Sequence, residues 1–218
     1  MRPSEFRTLS VTLTPHHREG LLGVPTAPAR GIVLFAHGSG SSRLSPRNTF
    51  VAEALQQAGI ATLLFDLLTD REATKRANVF DIPLLADRLS QAVDWASTAA
   101  QTQNLPIGLF GASTGAAAAL VAAAGLRDIR AIVSRGGRPD LAADALERVN
   151  APTLLIVGGD DAEVLALNRS AYRRLHCERR LEVVPGATHL FEEPGTLDAV
   201  VALARDWFLK HFASAKAE

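Results

Sequence analysis

The segment from Leu105 to Ala124 reads LPIGLFGASTGAAAALVAAA. In it, an apolar run of strand length leads into Gly111-Ala112-Ser113-Thr114-Gly115, and an alanine-rich run of helix length follows. The pattern G-x-S-x-G predicts a sharp strand-to-helix turn, because only small flanking residues let the central serine occupy strained backbone. Such a turn exposes the Ser113 hydroxyl above a sheet and directs the N–H of Thr114 toward an oxyanion formed there. The motif therefore predicts a nucleophile and half of an oxyanion hole.

A glycine-rich turn between a strand and a helix also occurs in dinucleotide-binding folds. Three features of the sequence argue against that interpretation. The spacing G-x-G-x-x-G is absent, the turn lies mid-chain, and the only tyrosine, Tyr172, is followed four residues later by His176 instead of a lysine. We therefore expect no cofactor.

Strand-like and helix-like segments alternate along the chain. Residues 8–14 alternate with a period of two, which predicts a half-exposed antiparallel edge strand, whereas the later strands are continuous apolar runs typical of a parallel sheet covered on both faces. We predict these strands at 31–36, 60–65, 106–110, 129–133, 152–157 and 181–184, and helices at 47–58, 82–101, 114–125, 139–148, 162–176 and 197–212.

This order predicts an α/β fold with a mostly parallel, doubly wound sheet and helices on both faces. Residues 66–81 are charged and irregular, which favours a solvated loop that is too short for a cap domain. A chain of 218 residues is long enough for one substantial core, so we expect a single domain over residues 1–218.

Composition limits the classes of partner. The formal net charge is zero, with 23 basic and 23 acidic residues, which argues against a nucleic-acid partner. No apolar run approaches the ~20 residues that span a bilayer, so we expect no membrane association. The single cysteine, Cys177, lies in a polar, surface-like context and cannot form an internal disulfide. These features favour a cytoplasmic protein.

A serine that attacks an acyl group needs a base within hydrogen-bond reach and a carboxylate that orients the base. In a fold of this class the chain order is serine, acid, histidine. Of the six histidines, His189 alone follows the candidate acids in a suitable place, a loop just past the last predicted strand. We therefore predict that His189 is the base, and we find no histidine pair with metal-ligand spacing beside carboxylates. The histidines that we expect at the surface are His16, His17, His176 and His211.

The acid is expected directly after the strand 152–157, where Asp160 and Asp161 are adjacent. We favour Asp161 as the acid and Asp160 as a turn residue, although either could cap the helix that starts near Ala162. Asp140 follows the preceding strand and is a third candidate.

The second oxyanion donor is expected in the loop after the strand 31–36, which reads His37-Gly38-Ser39-Gly40. Its glycines allow close approach of the backbone to a substrate. We predict the amide of Ser39 as the donor, with Gly40 as the alternative, and expect His37 to brace the loop.

Together these motifs, from Gly31 to Phe212, resemble the dienelactone-hydrolase-like branch of the α/β-hydrolases. The resemblance implies an eight-stranded core, a triad of Ser113, Asp161 and His189, and hydrolysis of a small-molecule carboxylic ester, lactone or thioester through an acyl-enzyme. True dienelactone hydrolases have a cysteine nucleophile where this chain has serine, so the resemblance does not extend to a dienelactone substrate. An acyl thioesterase or acyltransferase with the same triad, and a non-catalytic interaction module of the same fold, stay open as alternatives.

One residue carries a hint about the substrate. Arg135 follows the strand 129–133, at the sheet edge where the site opens, and two glycines come directly after it. There it could bind a carboxylate or phosphate of the substrate through paired N–H donors. The alternative is that Arg135 pairs with Asp140 or Asp66 and only holds its loop in place. In either case we expect short acyl groups, because no cap domain encloses a long chain.

Overall fold

The computed structural model describes residues 6–213. The chain folds around one eight-stranded sheet with the strand order β1-β2-β4-β3-β5-β6-β7-β8. Pairing is antiparallel between β1 and β2 and between β2 and β4, and parallel everywhere else. The strands are β1 Phe6–Leu13, β2 Arg18–Pro25, β3 Ile32–Ala36, β4 Ala61–Phe65, β5 Ile107–Ala112, β6 Ile129–Arg135, β7 Thr153–Gly158 and β8 Arg179–Val184. The predicted fold class is confirmed.

Helices cover both faces of this sheet. The helices are α1 Pro46–Gln57, α2 Asp70–Ala73, α3 Arg76–Val79, α4 Ile82–Thr98, α5 Thr114–Gly125, α6 Ala162–Arg174 and α7 Thr196–Ala213, together with a 3-10 helix at Pro139–Arg148. One buried cluster joins the sheet to α4, α5 and the 3-10 helix, and a second joins its other face to α1 and α7. In β3, Ile32 and Leu34 belong to the first cluster and Val33 and Phe35 to the second. The continuous apolar runs thus reflect burial on both faces.

The sequence-based prediction missed β2. Its sequence, REGLLGVP, contains two glycines and a proline, residues with low strand propensity. The structure shows why glycine stands at one of these positions: a Cβ at Gly23 would overlap the buried side-chain amide of Gln56, which donates to Thr62 Oγ1 at 2.6 Å. Close packing against α1 and β4 therefore places a glycine where a strand-forming residue would otherwise be expected.

Two other segments differ from prediction. Residues 66–81 contain the four-residue helices α2 and α3 instead of a purely irregular loop, and Thr69 caps the first of them in a capping box with Glu72. The predicted helix at 139–148 is a 3-10 helix interrupted at Ala143, whose φ of 47° is not helical. Neither segment forms a cap domain.

Two residues expected at the surface are not there. His211 is only 8% exposed and packs edge-on against Trp207, because α7 turns this face toward the sheet. Cys177 is half-buried against the core, and this burial raises the pKa of its thiol. Among the described helices, none is both long and apolar enough to cross a membrane.

Candidate active site

Ser113 occupies the turn between β5 and α5 with φ 52° and ψ −123°, a strained conformation for a residue other than glycine. The flanking glycines make this turn possible. A Cβ at Gly111 would overlap the backbone of Ala116, and a Cβ at Gly115 would overlap the carbonyl oxygen of Ala36. The G-x-S-x-G sequence therefore lets α5 start directly against β3.

His189 and Asp161 are in direct contact, with 2.7 Å between His189 Nδ1 and Asp161 Oδ2. Asp161 follows β7 and His189 follows β8, and the two loops are joined by a hydrogen bond from the Asp160 N–H to the Ala187 carbonyl oxygen at 3.0 Å. Since a carboxylate oxygen only accepts, Nδ1 carries the hydrogen and Nε2 is left as a proton acceptor. The Asp161 side chain is only 13% exposed, whereas that of His189 is 39% exposed, so the acid is shielded from water while the imidazole stays accessible.

The three aspartates considered as the acid differ in what their side chains bind. Asp160 is exposed, and its side chain makes no hydrogen bond within residues 6–213. Asp140 is held by Arg138 through bonds of 2.9 and 2.8 Å. Asp161 stands at the N-cap position of α6, but its side chain binds His189 instead of capping the helix.

Ser113 and His189 line the same cavity of about 230 Å³. Within the described part of the chain, Ser113 Oγ forms no hydrogen bond to the imidazole; such bonds often tighten only when substrate is bound. In the same residues, no three His, Cys, Asp or Glu side chains are grouped so that they could hold a metal ion.

His37 braces the loop after β3, as predicted. Its Nε2 accepts the Leu67 N–H at 3.1 Å, and its Nδ1 donates to the Gly38 carbonyl oxygen at 3.0 Å. Burial lowers the pKa of His37, which favours the neutral ring that this pattern requires. Gly38 lets this loop pass close to the turn at Ser113, since a Cβ there would lie only 3.0 Å from Ser113 Cβ.

The Ser39 amide, predicted as the second oxyanion donor, is occupied in this conformation. It donates to Thr114 Oγ1 at 2.9 Å, so an oxyanion at Ser113 would have to replace the threonine hydroxyl as its acceptor. From the sequence, Thr114 was predicted to contribute only its backbone N–H. The role of its hydroxyl was missed, because a contact between residues 75 positions apart leaves no local sequence pattern.

Arg135, at the end of β6, is 6% exposed and pairs with neither of the acids considered for it. Asp140 is held by Arg138, and Asp66 by Arg43. Instead, Arg135 Nη2 reaches Asn48 Oδ1 at 3.5 Å, and its guanidinium lies 5.8 Å from the centroid of the Phe191 ring. Burial, together with the nearby charge of Arg47, lowers its pKa to about 10. The alternative in which Asp140 or Asp66 holds Arg135 is therefore wrong.

A second cavity, of about 300 Å³, shares Gly38, Ser39 and Ser41 with the cavity that contains Ser113. Thr114 faces it, and its apolar lining comes from Leu67, Leu68, Ala73, Val79 and Leu85. The segment 66–81 thus contributes a wall of the site, which its charged sequence did not suggest.

The family described as alpha/beta hydrolase domain matches residues 29–202 of this sequence. Among solved structures, a dienelactone hydrolase from Anabaena variabilis ATCC 29413 is 53% identical, with a TM-score of 0.91, over 95% of this chain and 99% of that one. The chain therefore belongs to the alpha/beta hydrolase domain family and is dienelactone-hydrolase-like. Est1E from Butyrivibrio proteoclasticus shares the fold at 16% identity, with a TM-score of 0.78 over 94% of this chain and 99% of its own.

A protein of Mycobacterium tuberculosis strain H37Rv, named "Putative phosphoribosyl transferase", is 60% identical over 210 residues. The match covers 96% of this chain and 47% of the mycobacterial protein, so the chain spans about half the length of that relative.

Proposed function

We propose that this chain is a serine hydrolase that cleaves small carboxylic esters or lactones through an acyl-enzyme intermediate. The observation that carries the proposal is the placement of Ser113, on a strained turn, in the same cavity as His189, whose Nδ1 bonds Asp161. This is the arrangement of nucleophile, base and orienting acid that acyl transfer requires.

In the proposed acylation step, His189 Nε2 takes the proton of Ser113 Oγ as that oxygen attacks the ester carbonyl carbon. Asp161 stabilises the imidazolium that forms. The carbonyl oxygen becomes an oxyanion, which accepts hydrogen bonds from the N–H groups of Thr114 and Ser39 once the Thr114 hydroxyl has been displaced. The bond to the leaving oxygen then breaks, and that oxygen takes the proton from His189.

In the proposed deacylation step, a water molecule attacks the acyl carbon of the Ser113 ester. His189 takes one proton from this water and returns it to Ser113 Oγ as the acyl–serine bond breaks. A carboxylic acid is released, and the enzyme regains its starting state without a cofactor.

A thioesterase or an acyltransferase would form the same acyl-enzyme. The transferase name of the mycobacterial relative belongs to a protein about twice as long as this chain. Because transfer of a phosphoribosyl group does not use an acyl-enzyme, we propose ester hydrolysis as the activity of the region that matches this chain. Comparing oxygen esters with acyl-CoAs, and assaying for ester products in the presence of added alcohol, separates the three reactions.

Covalent labelling tests the nucleophile. A fluorophosphonate should add once to the wild-type protein, with the adduct mapped to Ser113, and Ser113→Ala should abolish both labelling and turnover. Ser41→Ala is the matched control because Ser41 lines the same cavity, and it should label normally. Equal labelling of the wild type and Ser113→Ala would remove Ser113 as the nucleophile.

A further inference from the structure

The cavity beside Ser113 carries positive charge without a matching acid. Arg135 and Arg47 both line it, and none of the described residues that line it is acidic. Arg47 does pair with Glu192, at 2.9 Å, but that carboxylate is 63% exposed and lies outside the cavity lining. An exposed ion pair of this kind is weak, so it leaves the excess charge of the cavity largely in place.

Arg135 is the more unusual of the two arginines. It is 94% buried, and its Nε has no hydrogen-bond partner within residues 6–213. Its guanidinium makes one long hydrogen bond among the described residues, to Asn48 Oδ1 at 3.5 Å, and the charge of Arg47 acts on it unfavourably. A buried guanidinium beside a like charge costs folding free energy unless an anion or hydrogen bonds compensate. A ligand that supplies the missing negative charge would explain why a buried arginine without an acidic partner lies beside Ser113.

The N-terminus of α1 adds to the positive electrostatic potential of this cavity. Ser45, Arg47 and Asn48, at the start of α1, all line the cavity. This helix is 12 residues long, and the partial positive charge of its N-terminus favours an anion nearby. The Ser45 hydroxyl, which accepts the Asn48 N–H at 3.4 Å, fixes the first turn.

We propose that this cavity is an anion subsite, in which Arg135 and Arg47 bind a carboxylate or phosphate group carried by the substrate. The assignment rests on the proposed hydrolysis at Ser113 and narrows its substrate to acidic esters. The planar guanidinium of Arg135 presents paired N–H donors, which match two oxygens of either anion. The uncharged part of the substrate then lies toward the second cavity, which shares Gly38 and Ser39 with this one and has an apolar wall that includes Leu67, Leu68 and Leu85.

Kinetics with matched ester pairs tests specificity. 4-Nitrophenyl hemiglutarate and 4-nitrophenyl valerate differ by a carboxylate on the acyl side, and 4-acetoxybenzoate and its methyl ester differ by one on the alcohol side. Wild type should prefer the charged member of at least one pair. Arg135→Gln should lower the charged-to-neutral ratio of kcat/KM by about 10- to 100-fold, as expected for charge-assisted hydrogen bonds, and Arg47→Gln by about threefold.

Arg138→Gln is the matched control, because Arg138 lies three residues further along, pairs with Asp140 and does not line the cavity. It should leave the ratio unchanged. If wild type prefers neither charged ester, or if Arg135→Gln and Arg47→Gln lower kcat/KM equally for both members of each pair, the subsite does not exist.

A binding experiment separates this proposal from the hydrolytic one. In the Ser113→Ala protein, glutarate or inorganic phosphate should raise Tm above the value in sodium chloride of equal ionic strength, and adding Arg135→Gln or Arg47→Gln should reduce that rise. Stabilisation by glutarate alone assigns a carboxylate, and stabilisation by phosphate alone assigns a phosphate. No stabilisation by either anion overturns the subsite, whereas stabilisation without fluorophosphonate labelling of Ser113 overturns the hydrolysis and keeps the subsite.

Discussion

Replacing Asp161 with asparagine should impair turnover while leaving the fold intact. In the wild type, Asp161 Oδ2 accepts the Nδ1 hydrogen of His189 at 2.7 Å, in a place where the Asp161 side chain is 13% exposed. An asparagine amide can instead donate to Nδ1, which moves the hydrogen of the neutral ring to Nε2. The ring then presents a donor where the mechanism requires an acceptor.

Two effects set the size of the loss. The charge-assisted hydrogen bond to the imidazolium contributes about 1.5–3 kcal/mol, which corresponds to about 10- to 150-fold in rate. The wrong tautomer adds to it, and the same exchange in a well-studied serine protease costs about 10⁴ in kcat. We therefore expect kcat to fall by about 10³ to 10⁴ for Asp161→Asn.

The assay is steady-state hydrolysis of 4-nitrophenyl acetate, with circular dichroism as the check on folding. Asp160→Asn is the matched control, because the neighbouring aspartate is exposed and binds no ring, and it should stay within about threefold of wild type. A large loss in Asp160→Asn with near-normal Asp161→Asn would transfer the role of the acid. Equal, small losses in both would refute the proposed mechanism.

Two further predictions concern stability. Gly115→Ala should lower the free energy of unfolding by more than about 2 kcal/mol in a denaturant titration, because the new Cβ would overlap the Ala36 carbonyl oxygen. Gly125→Ala is the control: it lies at the open end of α5 and should be neutral or stabilising. Equal effects of the two substitutions would contradict this reasoning. Burial lowers the pKa of both His37 and His211, so below about pH 6.5 the unfolded chain binds protons that the folded chain does not, and stability should decrease as the pH falls. His211→Gln should reduce that slope, by at most about 1.4 kcal/mol per pH unit; an unchanged slope would contradict the assignment.

The fold could be predicted where local sequence reflects burial directly. β3 is apolar throughout, and β7 is apolar after Thr153, because helices cover both of their faces. The small residues around Ser113 likewise predict the turn, because only small residues fit there. By contrast, β2 was missed because Gly23 is required by its packing against Gln56 of α1, a contact that the sequence of β2 itself does not show.

The candidate site divides in the same way. The carboxyl ends of β7 and β8 are adjacent in the sheet, so chain order and strand assignment sufficed to predict that Asp161 and His189 would meet. Arg47 was not predicted, since its place beside Arg135 depends on how α1 packs on the face of the sheet. Whether an arginine has an acidic partner depends on which side chains the fold brings together, and the spacing of residues in the sequence does not show this.

The close contact between the loop after β6 and the loop after β8 has a consequence for how such a protein can evolve. Gly136 has a φ of +51°, and a Cβ there would lie 3.0 Å from the His189 carbonyl oxygen, while the preceding residue, Arg135, lies over the Phe191 ring. Residues 135–136 and 189–191 therefore form one packed unit. A descendant that exchanged Arg135 for a bulkier or differently branched side chain would also shift the loop that carries His189. Under the proposed function, selectivity at Arg135 and turnover at His189 should therefore change together, and a change of substrate should arise more readily in the second cavity, which Leu67, Leu68 and Leu85 help to line.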